Sequence, residues 1–287
     1  MATGHIPASV VGTTVGPREH EIDARWLMAY AAALGEEAPE YFDTTRADGV
    51  RAHPLFPVCY EWPLALDLRA RALPDEVAIR GVHATHRLIV HRPLRAGERL
   101  RTTASVAALE RRAPGAYMVL RMETTDAAGH PVTTTDYGSL YLGVTCDPIA
   151  LPTGRGRHEA PSGDESPERP GDGWSTEVAI SPALAHVYTE CARIWNPIHT
   201  DVAYARAAGL PGIILHGTAT LAYSISALVK AFHIRDSAVR RVTCRFAGMV
   251  PMPSTLSVHA AREGGALQFE TRNERDEPVL TRGRVLF

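Results

Sequence analysis

The 287-residue sequence predicts an α+β protein made of two similar halves, each a largely buried helix wrapped by an antiparallel sheet. Three observations lead to this. A polar segment divides the chain near its middle, the parts on either side resemble each other, and each part runs from helices into a block of strands. The divider is PTGRGRHEAPSGDESPERPGDG, residues 152–173, in which eleven of 22 residues are Pro, Gly or Ser. Too few apolar groups are present there to offset the entropy of ordering the chain, so the segment reads as a linker between units 1–151 and 174–287.

The two units align. Tyr30 to Asp43 matches Tyr188 to Asp201 without gaps at an offset of 158, sharing Tyr, Pro and Asp. Farther on, RPLRAGERL ending at Leu100 parallels VPMPSTL ending at Leu256, at an offset of 156. Two nearly equal offsets across a linker point to internal duplication.

The elements follow in order. In the second unit Ser181-Pro182 reads as a helix N-cap with proline at the first helical position. Leu184, Val187, Cys191 and Ile194 then repeat on one expected face, and Pro197 ends the helix. A second helix is expected from Gly217 or Thr218, with Leu221, Ile225, Leu228 and Phe232 on one stripe and small or apolar residues between them, the pattern of a helix buried on most sides. Strand-like runs follow: VTCRF, TLSVHAA, ALQFETR and LTRGRVLF. The first unit carries HRLIV, LRTTASVAAL, AYMVLRMETT and TDYGSLYLG, with Ala128-Gly129 marking a hairpin.

Composition narrows the function. Apolar residues make up 45% and charged residues 22%, with a net charge of −2, which leaves no basic surplus for a nucleic-acid backbone. No apolar run approaches a membrane span and MATGHIPASVVG lacks a signal peptide's features, so a cytoplasmic protein without membrane or nucleic-acid partners is expected. Cys59, Cys146, Cys191 and Cys244 are far apart with no CxxC pair, and they read as buried apolar residues. His83, His86 and His91 cluster in sequence, but on a regular strand His86 would face away from the other two, so no metal is expected. Arg240, Arg241 and Arg245 form a cationic stretch that could take phosphate groups.

Chemistry concentrates in RIWNPIHTDVAYARAAGLPGIILHG, residues 193–217, where Asn196, His199, Asp201 and His216 lie between two apolar helices. Histidine titrates nearest neutrality, which makes His199 the natural acid or base.

In order, Asn196, Pro197, Ile198, His199, Asp201, Gly209, Leu210, His216 and Gly217 follow the signature of the MaoC-like, (R)-specific enoyl-CoA hydratase (hydratase 2) family, which this segment resembles. The first unit, through HPLFPV and HRPLRAGERL, resembles the degenerate first repeat of the two-repeat members. The resemblance implies a double hot-dog fold, with the first repeat accommodating an acyl chain and the second carrying the site. It also implies a hydro-lyase acting on a 2-enoyl or 3-hydroxyacyl thioester of coenzyme A or an acyl carrier, with no metal or redox cofactor. His199 and Asn196 would be catalytic, and Gly217 with His216 would hold the substrate oxygen or buttress that turn.

One position departs from the pattern. Two residues before Asn196 the family carries a catalytic aspartate, and here the residue is Ile194. Glu190, one helical turn earlier, and Asp201 are the candidate replacement acids. In the first repeat Glu36 aligns with Ile194 and Tyr41 with His199, a possible residual polar site. The departure keeps alternatives open: isomerisation or thioester hydrolysis in the same pocket, or a non-catalytic thioester-binding protein. A homodimer or pairing with a second hot-dog subunit is compatible with all of them.

Overall fold

A computed structural model describes residues 4–147 and 173–287. The linker expected over 152–173 therefore lies outside the described residues, apart from Gly173. The first half runs β1 (His5–Ile6), β2 (Thr14–Ile22), α1 (Ala24–Ala33), α2 (Pro57–Ala72), α3 (Asp75–Ala78), β3 (Gly81–Val90), β4 (Glu98–Arg112), β5 (Gly115–Asp126), β6 (Pro131–Leu142) and β7 (Thr145–Cys146). The second runs β8 (Trp174–Ile180), α4 (Leu184–Ala192), α5 (Val202–Ala207), α6 (Gly217–Ala231), β9 (Arg241–Phe246), β10 (Ser254–Glu263), β11 (Ala266–Arg272) and β12 (Pro278–Leu286).

Ten strands form one sheet in the order β2-β4-β5-β6-β3-β9-β12-β11-β10-β8, while β1 and β7 make a small parallel pair. The order reads as a palindrome about the junction of β3 and β9, so each half contributes five strands in the same arrangement. At that junction Arg87 faces Thr243, its counterpart at the offset of 156, flanked by Leu88 opposite Val242 and His86 opposite Cys244. The local two-fold of the duplication passes through this pair. This is the double hot-dog architecture: a long helix per half, α2 and α6, packed against a continuous antiparallel sheet.

The apolar pattern explains both helices. In α6 Leu221, Ile225 and Leu228 are fully buried, and Phe232 follows the last turn against the same core. In α2 Leu64 and Leu68 pack on Ala104, Val106, Met118 and Leu120 of β4 and β5. The strand runs read from sequence lie within β3 to β6 and β9 to β12, and the turn at Ala128-Gly129 joins β5 to β6. The edge strands β2 and β8 carried no such signal. β2 includes Gly16-Pro17 and four charged or histidine residues in succession, a composition that edge strands tolerate because one side of their backbone needs no partner.

Helix α4 departs from expectation. It begins at Leu184, with Ala183 as N-cap and no side-chain cap, while Ser181 and Pro182 lie in an exposed turn before it. Its buried face is Ala185, Tyr188, Thr189 and Ala192, and Val187 is 42% exposed. On this inner face Tyr188 meets Tyr30 of α1 and Thr189 meets His216, so the face carries polar groups that find partners; the apolar periodicity of Leu184, Val187 and Cys191 misidentified it. Ile194 is buried, but beyond the helix, after Arg193 turns the chain through a left-handed conformation.

Candidate active site

The segment between α4 and α6 is built from local caps. Arg193, at φ 57°, ends α4 and lays its guanidinium over the Trp26 ring at 4.0 Å. Asn196 caps the 3-10 turn Pro197–His199, its Oδ1 accepting from the Ile198 N–H at 3.4 Å. Asp201 caps α5, accepting from the Tyr204 N–H at 3.0 Å. Gly209, at φ +85°, ends that helix in the left-handed conformation that glycine adopts without strain. The chain then reaches Leu215, whose N–H donates to the Val250 carbonyl, and His216 delivers it into α6.

Two histidines face each other in this loop. The His199 Nδ1–H donates to the Ile214 carbonyl at 2.8 Å, which fixes the tautomer and leaves Nε2 as an acceptor on a cavity-lining ring. Burial lowers its pKa from 6.5 to about 4, opposed in part by the bond to Ile214. His216 stacks on it with ring centroids 3.7 Å apart. His216 Nε2 lies 3.1 Å from Thr189 Oγ1 and 3.3 Å from the Ile194 carbonyl, while Nδ1 is buried without a partner. Burial, then the neighbouring His199, pushes its pKa down to about 2, so both rings are neutral. His216 thus buttresses His199 and the turn into α6.

Gly217 is the first residue of α6, where the amide N–H has no intrahelical partner. A Cβ there would lie 3.0 Å from the Phe246 ring, tighter than ordinary contact, so any larger residue would push on that ring. His199, His216, Gly217, Asn196 and Ile194 all line one cavity of about 390 Å³. Ile194 is 4% exposed and presents hydrocarbon to it.

The candidate replacement acids are not brought to this cavity. Glu190 is exposed on the outer side of α4, opposite the face that packs inward, and Asp201 is exposed and occupied as a cap. Arg240, Arg241 and Arg245 are exposed, and none lines the cavity. The site's counterpart in the first repeat is only a small pocket of about 30 Å³ lined by His53 and Asp236: the Tyr41 hydroxyl is bound to the buried Asp236 carboxylate, and His53 Nε2 lies 3.1 Å from Ser226 Oγ.

The cavity's other wall comes from the first half, and sequence reasoning missed its polar residues. Val58, Glu61, Trp62, Ala65 and Arg69 line it as one stripe of α2, at i, i+3, i+4, i+7 and i+11. The signal was present: Glu61 is a lone carboxyl within the apolar run PVCYEWPLAL. Glu61 is buried, accepts from the Thr135 hydroxyl at 2.7 Å, and is pushed up by burial to a pKa of about 8. Among the described residues it is the sole carboxylate side chain lining this cavity. His83 and His86 also line it together, contrary to the alternation expected of a strand. The register of β3 on β6 shifts between His83 and Thr85, and this bulge turns both rings to the same side, 5.6 Å apart. His91 is exposed and bonded to Thr134.

Residues 166–282 match the family described as MaoC like domain, and residues 9–135 match the FAS1-like, dehydratase domain region. The chain is 36% identical over 133 residues to enoyl-CoA hydratase ChsH3 of Mycobacterium tuberculosis, a match covering 45% of this chain and 46% of that protein. It is also 36% identical over 106 residues to the peroxisomal enoyl-CoA hydratase 2 of Arabidopsis thaliana, covering 36% of this chain and 34% of that protein. The chain thus spans less than half of these curated relatives. The crystal structure of a MaoC-like dehydratase from Phytophthora capsici superposes with a TM-score of 0.83 at 22% identity, over 97% of this chain and 96% of that one. At that identity the likeness speaks for the fold. The palindromic sheet, the His199 loop opening into α6 and the two family matches lead to one conclusion: the chain is a double hot-dog protein whose C-terminal half matches the MaoC-like domain family.

Proposed function

We propose that the protein is an acyl-thioester hydro-lyase that interconverts 2-enoyl and 3-hydroxyacyl thioesters. One observation carries this reading: a neutral His199, its tautomer fixed by the Ile214 carbonyl, lines the same cavity as the free N–H at the start of α6. Two curated relatives named enoyl-CoA hydratases support it.

In this reading the thioester carbonyl accepts a hydrogen bond from the Gly217 N–H, and the positive end of the α6 dipole stabilises the enolate formed in the reaction. His199 Nε2 takes a proton from water as the oxygen adds to C3. The same imidazolium then returns a proton to C2, which restores His199 and balances the addition. Asn196 holds the turn that presents His199. Ile194 gives the attacking water no carboxylate, so His199 carries both proton transfers. A missing acid/base partner of this kind lowers rates by on the order of 10²–10⁴.

The test is loss of enoyl absorbance with crotonyl-CoA and longer 2-enoyl-CoAs, in wild type, His199→Ala and Ile194→Asp. Expected are a slow wild type, a loss of on the order of 10² or more in His199→Ala, and a faster Ile194→Asp. A wild-type protein that binds enoyl-CoA but neither hydrates it nor dehydrates 3-hydroxyacyl-CoA overturns the reading.

A further inference from the structure

We propose that the first-half end of the cavity binds a carboxylate carried on the acyl chain, so that the substrates are thioesters of dicarboxylic acids. This rests on the acyl-thioester reading above and names the substrate class for the same cavity.

The observation is a cluster of buried polar groups with no partner among the described residues. His86 is 2% exposed and both of its ring nitrogens are unpaired. Trp62 Nε1, Arg69 Nε and Nη2, and His83 Nε2 are buried and unpaired as well. All four residues line the cavity. A plain alkyl chain lying against them would leave every one of these groups desolvated and unbonded, a penalty that native cavities avoid.

The set is rich in donors. The indole N–H can only donate, and a guanidinium cannot accept. Each neutral imidazole brings one N–H. Glu61, which burial keeps protonated, adds an O–H beside the Thr135 bond. A carboxylate, with two oxygens each able to accept two bonds, is the complement of such a set.

Charge points the same way. Arg69 has no carboxylate partner among the described residues; the rings of Trp62 and Tyr137 lie 5.7 Å and 6.0 Å from its guanidinium carbon. By contrast Asp136, on the neighbouring strand, is engaged by Arg87 and Arg121. The cation facing the cavity is therefore the one left for a ligand. The cluster also lies close to the reacting end. His83 packs on Phe246 with ring centroids 4.2 Å apart, and Phe246 is the ring that closes on Gly217.

The test uses unreactive saturated esters, so that it does not depend on turnover. Calorimetry compares succinyl-, glutaryl- and adipoyl-CoA with butyryl-, pentanoyl- and hexanoyl-CoA. For at least one length the carboxylated ester is expected to bind at least about tenfold tighter, and Arg69→Met is expected to bring that ratio close to one. Trp62→Phe and His86→Leu, checked for folding by circular dichroism, are expected to reduce the ratio and serve if Arg69→Met does not fold. Equal or tighter binding of the alkyl ester at every length overturns the proposal. So does an Arg69→Met variant that weakens both esters equally, since Arg69 would then hold the coenzyme's phosphates. Hydration of crotonyl-CoA without a carboxylate preference leaves the hydro-lyase reading standing alone. A carboxylate preference without hydration removes that reading and keeps the binding site.

Discussion

Tyr30 and Tyr188 hold the same place in the two repeats, 158 residues apart, and their hydroxyls lie 3.4 Å from each other in the core. The Tyr188 hydroxyl donates to Thr218 Oγ1 at 3.2 Å, and the Tyr30 hydroxyl also reaches the Leu55 carbonyl at 3.4 Å. A residue kept through duplication thus meets its own copy at the local two-fold, and the pair is tied to the first turn of α6 beside Gly217.

The pair makes the first prediction. Tyr30→Phe and Tyr188→Phe should each destabilise the protein by about 1 kcal/mol in urea unfolding. The double variant should cost less than the two together, because the second change removes a group whose partner is already gone. Strict additivity would show that the hydroxyls do not interact.

Gly217→Ala should lower kcat/KM by about tenfold or more, since the added methyl meets Phe246 at 3.0 Å beside the N–H assigned to the thioester carbonyl. Combining it with Phe246→Leu, which removes the obstructing ring, should restore part of the loss. A fully active Gly217→Ala would separate this N–H from the reaction.

The acid limb of kcat/KM should fall near pH 4, not near the ordinary imidazole value of 6.5. In the proposed mechanism His199 acts in its neutral form, and burial holds its pKa at about 4, so lowering the pH leaves it a base until that value is reached. Activity should therefore be nearly level from neutrality down to pH 5.5. A limb centred near 6.5 would mean that another group governs the rate.

Stability should fall on acidification, beginning near pH 6.5. Burial depresses His53 to about 3, His86 to about 4 and His216 to about 2. The unfolded chain binds protons at these sites below about 6.5 while the folded chain does not, so each costs about 1.4 kcal/mol per pH unit until its folded value is reached. Glu61, raised to about 8, and Asp236, raised to about 6, act with the opposite sign. The histidines, His199 included, outnumber them, so the urea midpoint should be lower at pH 5 than at pH 6.5. His86→Gln should flatten that slope.

The loop between α4 and α6 was legible because it is local. Asn196, Pro197, Asp201 and Gly209 act on backbone groups within a few residues, and such caps and turns are written in residue type and spacing. The Glu190 and α4 readings failed for the opposite reason. The inner face of α4 is chosen by α1, which is distant in sequence, and it favours Tyr188 and Thr189 over Leu184 and Val187.

The duplication, the two central helices, most strands and the His199–Gly217 segment could be read from residue order alone, since periodicity, caps and turn residues act over a few positions. It took the folded chain to bring Glu61 and Arg69 of α2 to the same cavity as His199, and a bulge in β3 to bring His83 and His86 in with them. A cavity wall is made where two distant segments meet. Whether a buried polar group there finds a partner depends on the packing of both, which no local pattern encodes.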